Sequence, residues 1–218
     1  MATPYLQLMR EEVPSTQDLA RAELDRMPVV VISQRQTEGR GRTGATWLTA
    51  PRALAVSLAF HAAEGDGRPF SLMAGIAAVR AMAGTRLKWP NDLVVDDLKI
   101  GGILVERSGA VTVAGIGVNL WWPDPPEGIG ALSEIDPGST AHAEIGALWA
   151  AELIHLLDDD GWPQDEYRDA CATLGRQITW EPGGAGVAVD ISSEGELIVE
   201  TRGSRQAIGS GAIRHVRG

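Results

Sequence analysis

The sequence predicts an α+β protein, a mixed β-sheet with helices packed on it followed by a small β-barrel. Three observations carry this prediction. Stretches with helical apolar spacing are interleaved with β-branched and apolar runs of strand length as far as about Leu174. Beyond Leu174 the chain reads only as short strands at close, even spacing. Breakers separate those strands: Pro182-Gly183-Gly184, Ser193-Glu194-Gly195, Arg202-Gly203-Ser204 and Gly209-Ser210-Gly211. The expected domains are therefore 1–173 and 174–218.

The first helix starts at Ser15 or Thr16, either of which can cap it, with Asp18 in the first turn where the helix dipole favours an anion. Leu19, Ala20, Leu24 and Met27 form its apolar stripe. Val29 to Ser33 reads as a buried strand, Gln36 to Thr46 as a surface loop, and Ala53 to Phe60 as the next strand. Phe70 to Ala83 is a second helix, with Leu72, Ile76, Val79 and Ala83 on one face and Gly84 as its stop. Strands follow at Arg86 to Trp89, Leu93 to Val95, Ile100 to Glu106 and Val111 to Leu120, with Asp96-Asp97 as a hairpin turn. Trp121 to Gly138 is a Pro- and Gly-rich loop. Ala143 to Leu157 is the strongest helix, aligning Ile145, Leu148, Trp149, Leu153 and Leu156. Gly161-Trp162-Pro163 breaks it, and a shorter helix runs to about Cys171. Gln177 to Trp180, Val187 to Ile191, Leu197 to Thr201 and Ile213 to Val216 are the strands of the barrel.

The formal net charge of -10 argues against non-specific nucleic-acid binding, which depends on clustered Lys and Arg. Within that acidic chain Arg35, Arg40 and Arg42 crowd into one Gly-rich segment, and the contrast is the first functional clue. A single cysteine, Cys171, excludes an internal disulfide framework and an all-cysteine metal site. No run approaches the ~18 apolar residues of a membrane span, and Met1 to Tyr5 lacks the pattern of a secretory signal. A cytoplasmic protein is expected.

Three constellations bear chemistry. Gln36-Thr37-Glu38-Gly39-Arg40-Gly41-Arg42-Thr43-Gly44 combines glycines, which let backbone approach a ligand, with forked permanent cations suited to carboxylate or phosphate. Alone it reads first as a flexible basic surface loop. It lacks the Gly-Lys-Ser/Thr ending of a Walker loop. Lys88-Trp89-Pro90-Asn91-Asp92 and the downstream Lys99-Ile100-Gly101-Gly102-Ile103-Leu104-Val105-Glu106 place two lysines beside apolar strand residues, where an ammonium must reach solvent or an anion. Gly101 and Gly102 leave room against the backbone; snorkelling lysines and a bulge are the alternative. Gly115-Ile116-Gly117-Val118-Asn119-Leu120 is a strand weakened by two glycines, and by itself reads as a packing feature.

The order and spacing of these segments, with Ser15-Thr16-Gln17 before them and Trp47 closing the Arg loop, resemble the catalytic domain of biotin protein ligases. The tail, from Leu174-Gly175-Arg176 to Ser210-Gly211-Ala212-Ile213-Arg214-His215-Val216, resembles that family's SH3-like C-terminal domain, so the resemblance covers nearly the whole chain. It implies the catalytic fold shared with class II aminoacyl-tRNA synthetases and a two-step reaction. Biotin is activated with Mg-ATP to biotinyl-5′-AMP and pyrophosphate, then transferred to a lysine of a biotin carboxyl carrier protein. The resemblance places Ser15, Thr16, Gln17 and Gln36 at the biotin ring, with Gly102, Leu104 and Gly115 in the biotin wall. It puts Gly39, Arg40 and Arg42 in the loop over the biotin carboxylate and adenylate phosphate. Lys99 bridges carboxylate and α-phosphate, making Lys99, Arg40 and Arg42 the expected catalytic group. Trp47, Lys88, Asn91, Asp92 and Asn119 fall on the ATP side, with Mg²⁺ carried by ATP near Asp92.

Two departures stand out: Ala45 occupies a position where the family often carries a basic residue, and Trp121 to Leu132, the adenine-covering segment, is divergent. The motifs begin at Ser15, so the DNA-binding domain and repressor activity of two-function members are not expected. A lipoate or octanoate ligase of the same fold and a non-catalytic biotin sensor are the rival readings. The Lys88-to-Asp92 and Lys99-to-Glu106 pairing disfavours the first, and the retained Lys99, Arg40 and Arg42 cluster disfavours the second. Cys171 reads as a buried small hydrophobe, Asp158-Asp159-Asp160 as a solvated helix end, and the four histidines lack metal-ligand spacing.

Overall fold

The computed structural model describes residues 3–42, 49–181, 183–209 and 213–215. The larger sheet has seven strands: β1 (Leu6–Val13), β2 (Val29–Gln36), β3 (Arg52–His61), β4 (Arg86–Lys88), β5 (Asp92–Val95), β6 (Leu98–Ser108) and β7 (Val111–Trp121). Their order is β1-β2-β3-β7-β6-β5-β4. Only β1 and β2 run parallel; the other neighbours are antiparallel, so the sheet is mixed.

Alternation along β2 shows how the layers form. Val30 and Ile32 join Leu54, Val56 and Leu58 of β3 in the main core, beneath α2 (Phe70–Ala81) and α3 (Ala141–Leu157). Val29 and Val31 face the other way, packing with Ala59 of β3 and Ala20 of α1 (Thr16–Glu23). A strand buried on both faces needs a continuous apolar run, which Val29 to Ile32 supplies. Trp149 locks the two large helices together: fully buried on α3, it donates its indole N–H to Ala74 O of α2 at 3.0 Å.

Several expected boundaries move. Ser15 does cap α1, accepting from Asp18 N at 3.3 Å, but the helix ends at Glu23 and Leu24 is extended, so Met27 lies beyond it and 47% exposed. Leu148 faces solvent on α3 rather than joining the buried stripe. β4 stops at Lys88, leaving Trp89 in the turn that follows. β1 was not expected: its burial pattern is almost wholly exposed, so no apolar alternation announces it, and its pairing with β2 holds it in place.

After α4 (Gln164–Ala170) come β8 (Gln177–Trp180), β9 (Gly184–Ile191), β10 (Leu197–Thr201), β11 (Ser204–Ile208) and β12 (Ile213–His215). They form a separate antiparallel sheet in the order β11-β10-β9-β8-β12. Where a small barrel was expected, the strands form a five-stranded antiparallel sheet, and among the described residues no ladder joins β11 to β12 to close it. β11 itself replaces what the sequence presents as the end of a turn at Arg202-Gly203-Ser204. Apolar residues of this sheet, including Ile178, Ile191, Leu197 and Ile213, continue the main core rather than forming one of their own.

Candidate active site

A cavity of about 390 Å³ opens on the α1 face of the large sheet. Its floor follows from register. Ser57 of β3 pairs with Gly115 of β7, which pairs with Leu104 of β6; one step along, Ala55, Gly117 and Gly102 align in the same way. Successive strand residues alternate faces, so both tiers lie on one face, and the small Ser57, Gly115, Gly117 and Gly102 leave a hollow beside Leu104. Gly115 cannot carry a side chain there without conflict: a Cβ would lie 2.7 Å from Ser57 Oγ and 3.1 Å from Val56 O.

On the side nearest α1 the cavity is polar but uncharged. Gln36 Oε1 accepts from Thr16 N at 2.8 Å and from Thr16 Oγ1 at 3.0 Å, while Thr16 Oγ1 and Ser57 Oγ lie 2.8 Å apart. Gln17 donates its amide N–H to Leu104 O at 3.0 Å, and its Oε1 is buried without a partner.

The side formed by β5, β6 and the Lys88-to-Asp92 turn is charged. Lys99 Nζ stands 2.5 Å from Asp92 Oδ1. Asn91 accepts from Arg42 at 3.0 Å and donates to Ile103 O at 3.0 Å, so one amide ties the loop arginine to strand β6. Lys99 is held by its backbone, with Lys99 N donating to Gly128 O at 3.1 Å and Lys99 O accepting from Gly130 N at 2.9 Å. Gly101 permits a close strand approach, since a Cβ would meet Gly117 O at 2.6 Å.

At the rim, Arg40 grips Asp18 with two hydrogen bonds of 2.8 and 2.7 Å, and Glu106 stands 3.9 Å away, itself paired with Arg21 at 3.1 Å. The Arg40 guanidinium beside it holds the Asp18 carboxyl below its ordinary range, against a smaller opposing effect of burial.

Of the residues singled out in the sequence, the cavity gathers Ser15, Thr16, Gln17 and Gln36 with Arg40, Arg42, Lys88, Asn91, Asp92 and Lys99, over the floor of Gly102, Leu104 and Gly115. Gly39 and Asn119 lie outside the lining. Asn119 instead donates to Gly130 O at 3.1 Å, beside the Gly130–Lys99 bond, so it braces the loop that braces Lys99. Trp47 falls outside the described residues.

Ser57 and Ile213 also line the cavity and had not been singled out for it; Trp89, within the Lys88-to-Asp92 motif and expected to flank the site, lines it too. Ser57 did leave a signal, as the one hydroxyl in the apolar run from Ala53 to Phe60. Ile213 left none, because it arrives from the second sheet. Trp89 is almost fully buried, and it receives support from that sheet as well. Its indole N–H donates to Gly195 O at 3.0 Å and its backbone N–H to Thr173 Oγ1 at 3.0 Å, an oxygen that also bonds His215 Nε2 at 3.2 Å. Among the described residues no cluster of three or more His, Cys, Asp or Glu side chains could hold a metal ion, and no helix is long and apolar enough to cross a membrane.

Residues 10–121 match the model of the Biotin/lipoate A/B protein ligase family. A biotin--[acetyl-CoA-carboxylase] ligase of Mycobacterium tuberculosis is 30% identical, over 87% of this chain and 79% of its own length. One from Paracoccus denitrificans is 28% identical, over 82% of this chain and 86% of its own. Among solved structures, the biotin protein ligase of Aquifex aeolicus in complex with biotin and ATP superposes with a TM-score of 0.81 at 23% identity, covering 97% of this chain and 99% of that one, which establishes likeness of fold.

Proposed function

The chain belongs to the biotin/lipoate A/B protein ligase family, and on that premise we propose that its cavity activates biotin with ATP and passes it to a lysine of a carrier protein. The observation that carries this reading is the division of one cavity into an uncharged hydrogen-bonding side, around Thr16, Gln36 and Ser57, and a charged side, around Lys99, Asp92 and Arg42, with Arg40 at the rim. The first suits a polar ring, the second a carboxylate meeting a phosphate.

Activation brings two anions together: the biotin carboxylate attacks the α-phosphorus of ATP, and pyrophosphate leaves. Cations already fixed in place offset the repulsion without reorganising as charge develops. Lys99 is anchored by both backbone hydrogen bonds to the 128–130 loop, so its ammonium can exchange Asp92 for an incoming oxyanion while its backbone stays put. Arg42, tied to Asn91, brings the Gly-Arg loop across the cavity. Loop closure keeps water from the mixed anhydride biotinyl-5′-AMP. The acceptor lysine then attacks the acyl carbon and AMP leaves, so no enzyme nucleophile is required.

Magnesium binds largely through phosphates and water, with one or two carboxylates, and Asp92 beside Lys99 is the carboxylate placed to complete such a shell. The ion would offset charge on the phosphates and leaving group. The acceptor is the carrier domain of a biotin-dependent carboxylase, as the relatives' names imply for them. Within the same reading, residues 1–173 form the catalytic domain in the cytoplasmic enzyme and 174–218 an SH3-like domain.

The test is biotin-dependent pyrophosphate release from Mg-ATP, with lipoate and no-acid controls and a biotin carrier domain as acceptor. Release with biotin and mass addition on the carrier are expected. Activity with lipoate alone, or tight biotin binding with no pyrophosphate, would overturn the reading.

A further inference from the structure

We infer that Ser57 is a specificity-determining residue, which orders the hydroxyl protons beside α1 so that this wall offers acceptors to the ligand and selects an acid whose ring carries N–H groups. The inference rests on the biotin ligase reading and names what chooses between biotin and lipoate.

The proton order follows from one fixed donor. Thr16 N–H can only donate, so the Gln36 atom 2.8 Å from it must be the amide oxygen. The same oxygen lies 3.0 Å from Thr16 Oγ1, so the threonine hydroxyl commits its single proton there. Only lone pairs of Thr16 Oγ1 remain to meet Ser57 Oγ at 2.8 Å, and Ser57 must therefore be the donor. Both hydroxyl protons are consumed inside the wall, and what Thr16 and Ser57 still have to give a ligand is lone pairs.

A second observation points the same way. Gln17 donates to Leu104 O, which fixes its other amide atom as oxygen. That oxygen is buried without a partner in a residue only 6% exposed, and Gln17 lines the same cavity. A buried acceptor lacking a donor carries a desolvation penalty that a ligand N–H can relieve. The cyclic urea of biotin brings two such N–H groups. The dithiolane of lipoate brings none, and would leave the Thr16 and Ser57 oxygens facing sulfur and carbon. Gly115 keeps the arrangement open, because any side chain there would displace the Ser57 hydroxyl.

The experiment is calorimetric titration of the whole chain with biotin, desthiobiotin (which keeps the urea), biotin methylated on its ureido nitrogens, and lipoate. Biotin and desthiobiotin should bind, and methylation should weaken binding at least about a hundredfold, because a site built for hydrogen bonds rejects an analogue that cannot make them. Ser57→Ala should raise the biotin Kd and KM about tenfold while kcat for pyrophosphate release stays within about twofold. Ser57→Cys should fall between, because a thiol is a weaker donor. Methylated biotin binding within about threefold of biotin to the unaltered chain, or an unchanged Kd in Ser57→Ala, would overturn the inference. Absence of any binding by biotin itself would overturn the ligase reading with it, a result distinguishable because desthiobiotin would fail as well.

Discussion

Arg40 and Asp18 form a two-pronged ion pair, 2.8 and 2.7 Å, that ties the Gly-Arg loop to the first turn of α1. The pair does two things at once. It places a carboxylate near the positive end of the helix dipole, and it seats the loop's first arginine at the rim of the cavity. Both side chains are substantially exposed, so the pair contributes under about 1 kcal/mol to folding. Its consequence is local.

Asp18→Asn should therefore leave Tm nearly unchanged while loosening the loop. The expected outcome is a few-fold higher KM for biotin and faster loss of biotinyl-5′-AMP to solvent, read from the half-life of the isolated enzyme–adenylate complex. A half-life equal to that of the parent chain would show that Arg40 needs no carboxylate to hold the loop.

Lys99→Ala tests the charged side. Removing one preorganised charge from a site where anions meet lowers the rate by about 10²–10³. The Lys99–Asp92 pair is part-exposed, so stability should change little. Biotin binding should stay measurable by calorimetry while pyrophosphate release collapses; undiminished release would remove Lys99 from this role.

The motifs were legible because each is local. The Lys-Trp-Pro-Asn-Asp run, the Gly-Arg loop and the Lys-x-Gly-Gly strand each lie within a dozen residues, so their order along the chain carries the family resemblance that assigns their chemistry. Both helices packed against the main core were legible for a related reason, since apolar spacing is a short-range signal. What escaped depends on distant partners. β1 has no apolar alternation and exists as a strand through its pairing with β2. Leu148 sits on the stripe by spacing but on the surface in fact, because the neighbours that decide exposure come from elsewhere in the chain. Ile213 reaches the cavity from the second sheet, more than ninety residues along the chain from Gly117, the lining residue that precedes it in sequence. Register likewise decides that Ser57 meets Gly115, and no single-segment pattern encodes that meeting.

Gly101→Ala probes the strand approach beneath the lysine. A methyl group at this position would stand 2.6 Å from Gly117 O, and backbone cannot swing aside as a side chain can. The ladder between β6 and β7 must then shift, at a cost of about 1–3 kcal/mol. Urea denaturation should show a lower midpoint with an unchanged slope, and a midpoint equal to the parent's would mean the strands accommodate the methyl.

His215 gives the second sheet a pH signature. Burial, then the nearby charges of Lys88 and Arg176, push its imidazole down to about 4, against weaker opposing effects of Asp97 and Asp92. In the unfolded chain the same group titrates near 6.5. Between those values the unfolded state binds a proton that the folded state refuses, so stability rises with pH across the window and is lost as pH falls from about 6.5 to about 4. Above the window His215 is neutral in both states and adds no slope; below it both are protonated and the loss is complete. His215→Gln cannot titrate and keeps a polar group facing Thr173 Oγ1, the oxygen that also receives the Trp89 backbone N–H. Melting curves from pH 4 to 7 should show the parent chain losing several degrees more than this variant as the pH falls. His142, whose pKa burial also lowers, is present in both proteins and cancels in the comparison. Parallel melting profiles would show that the histidine takes up its proton without disturbing the contact between β12 and the Trp89 turn.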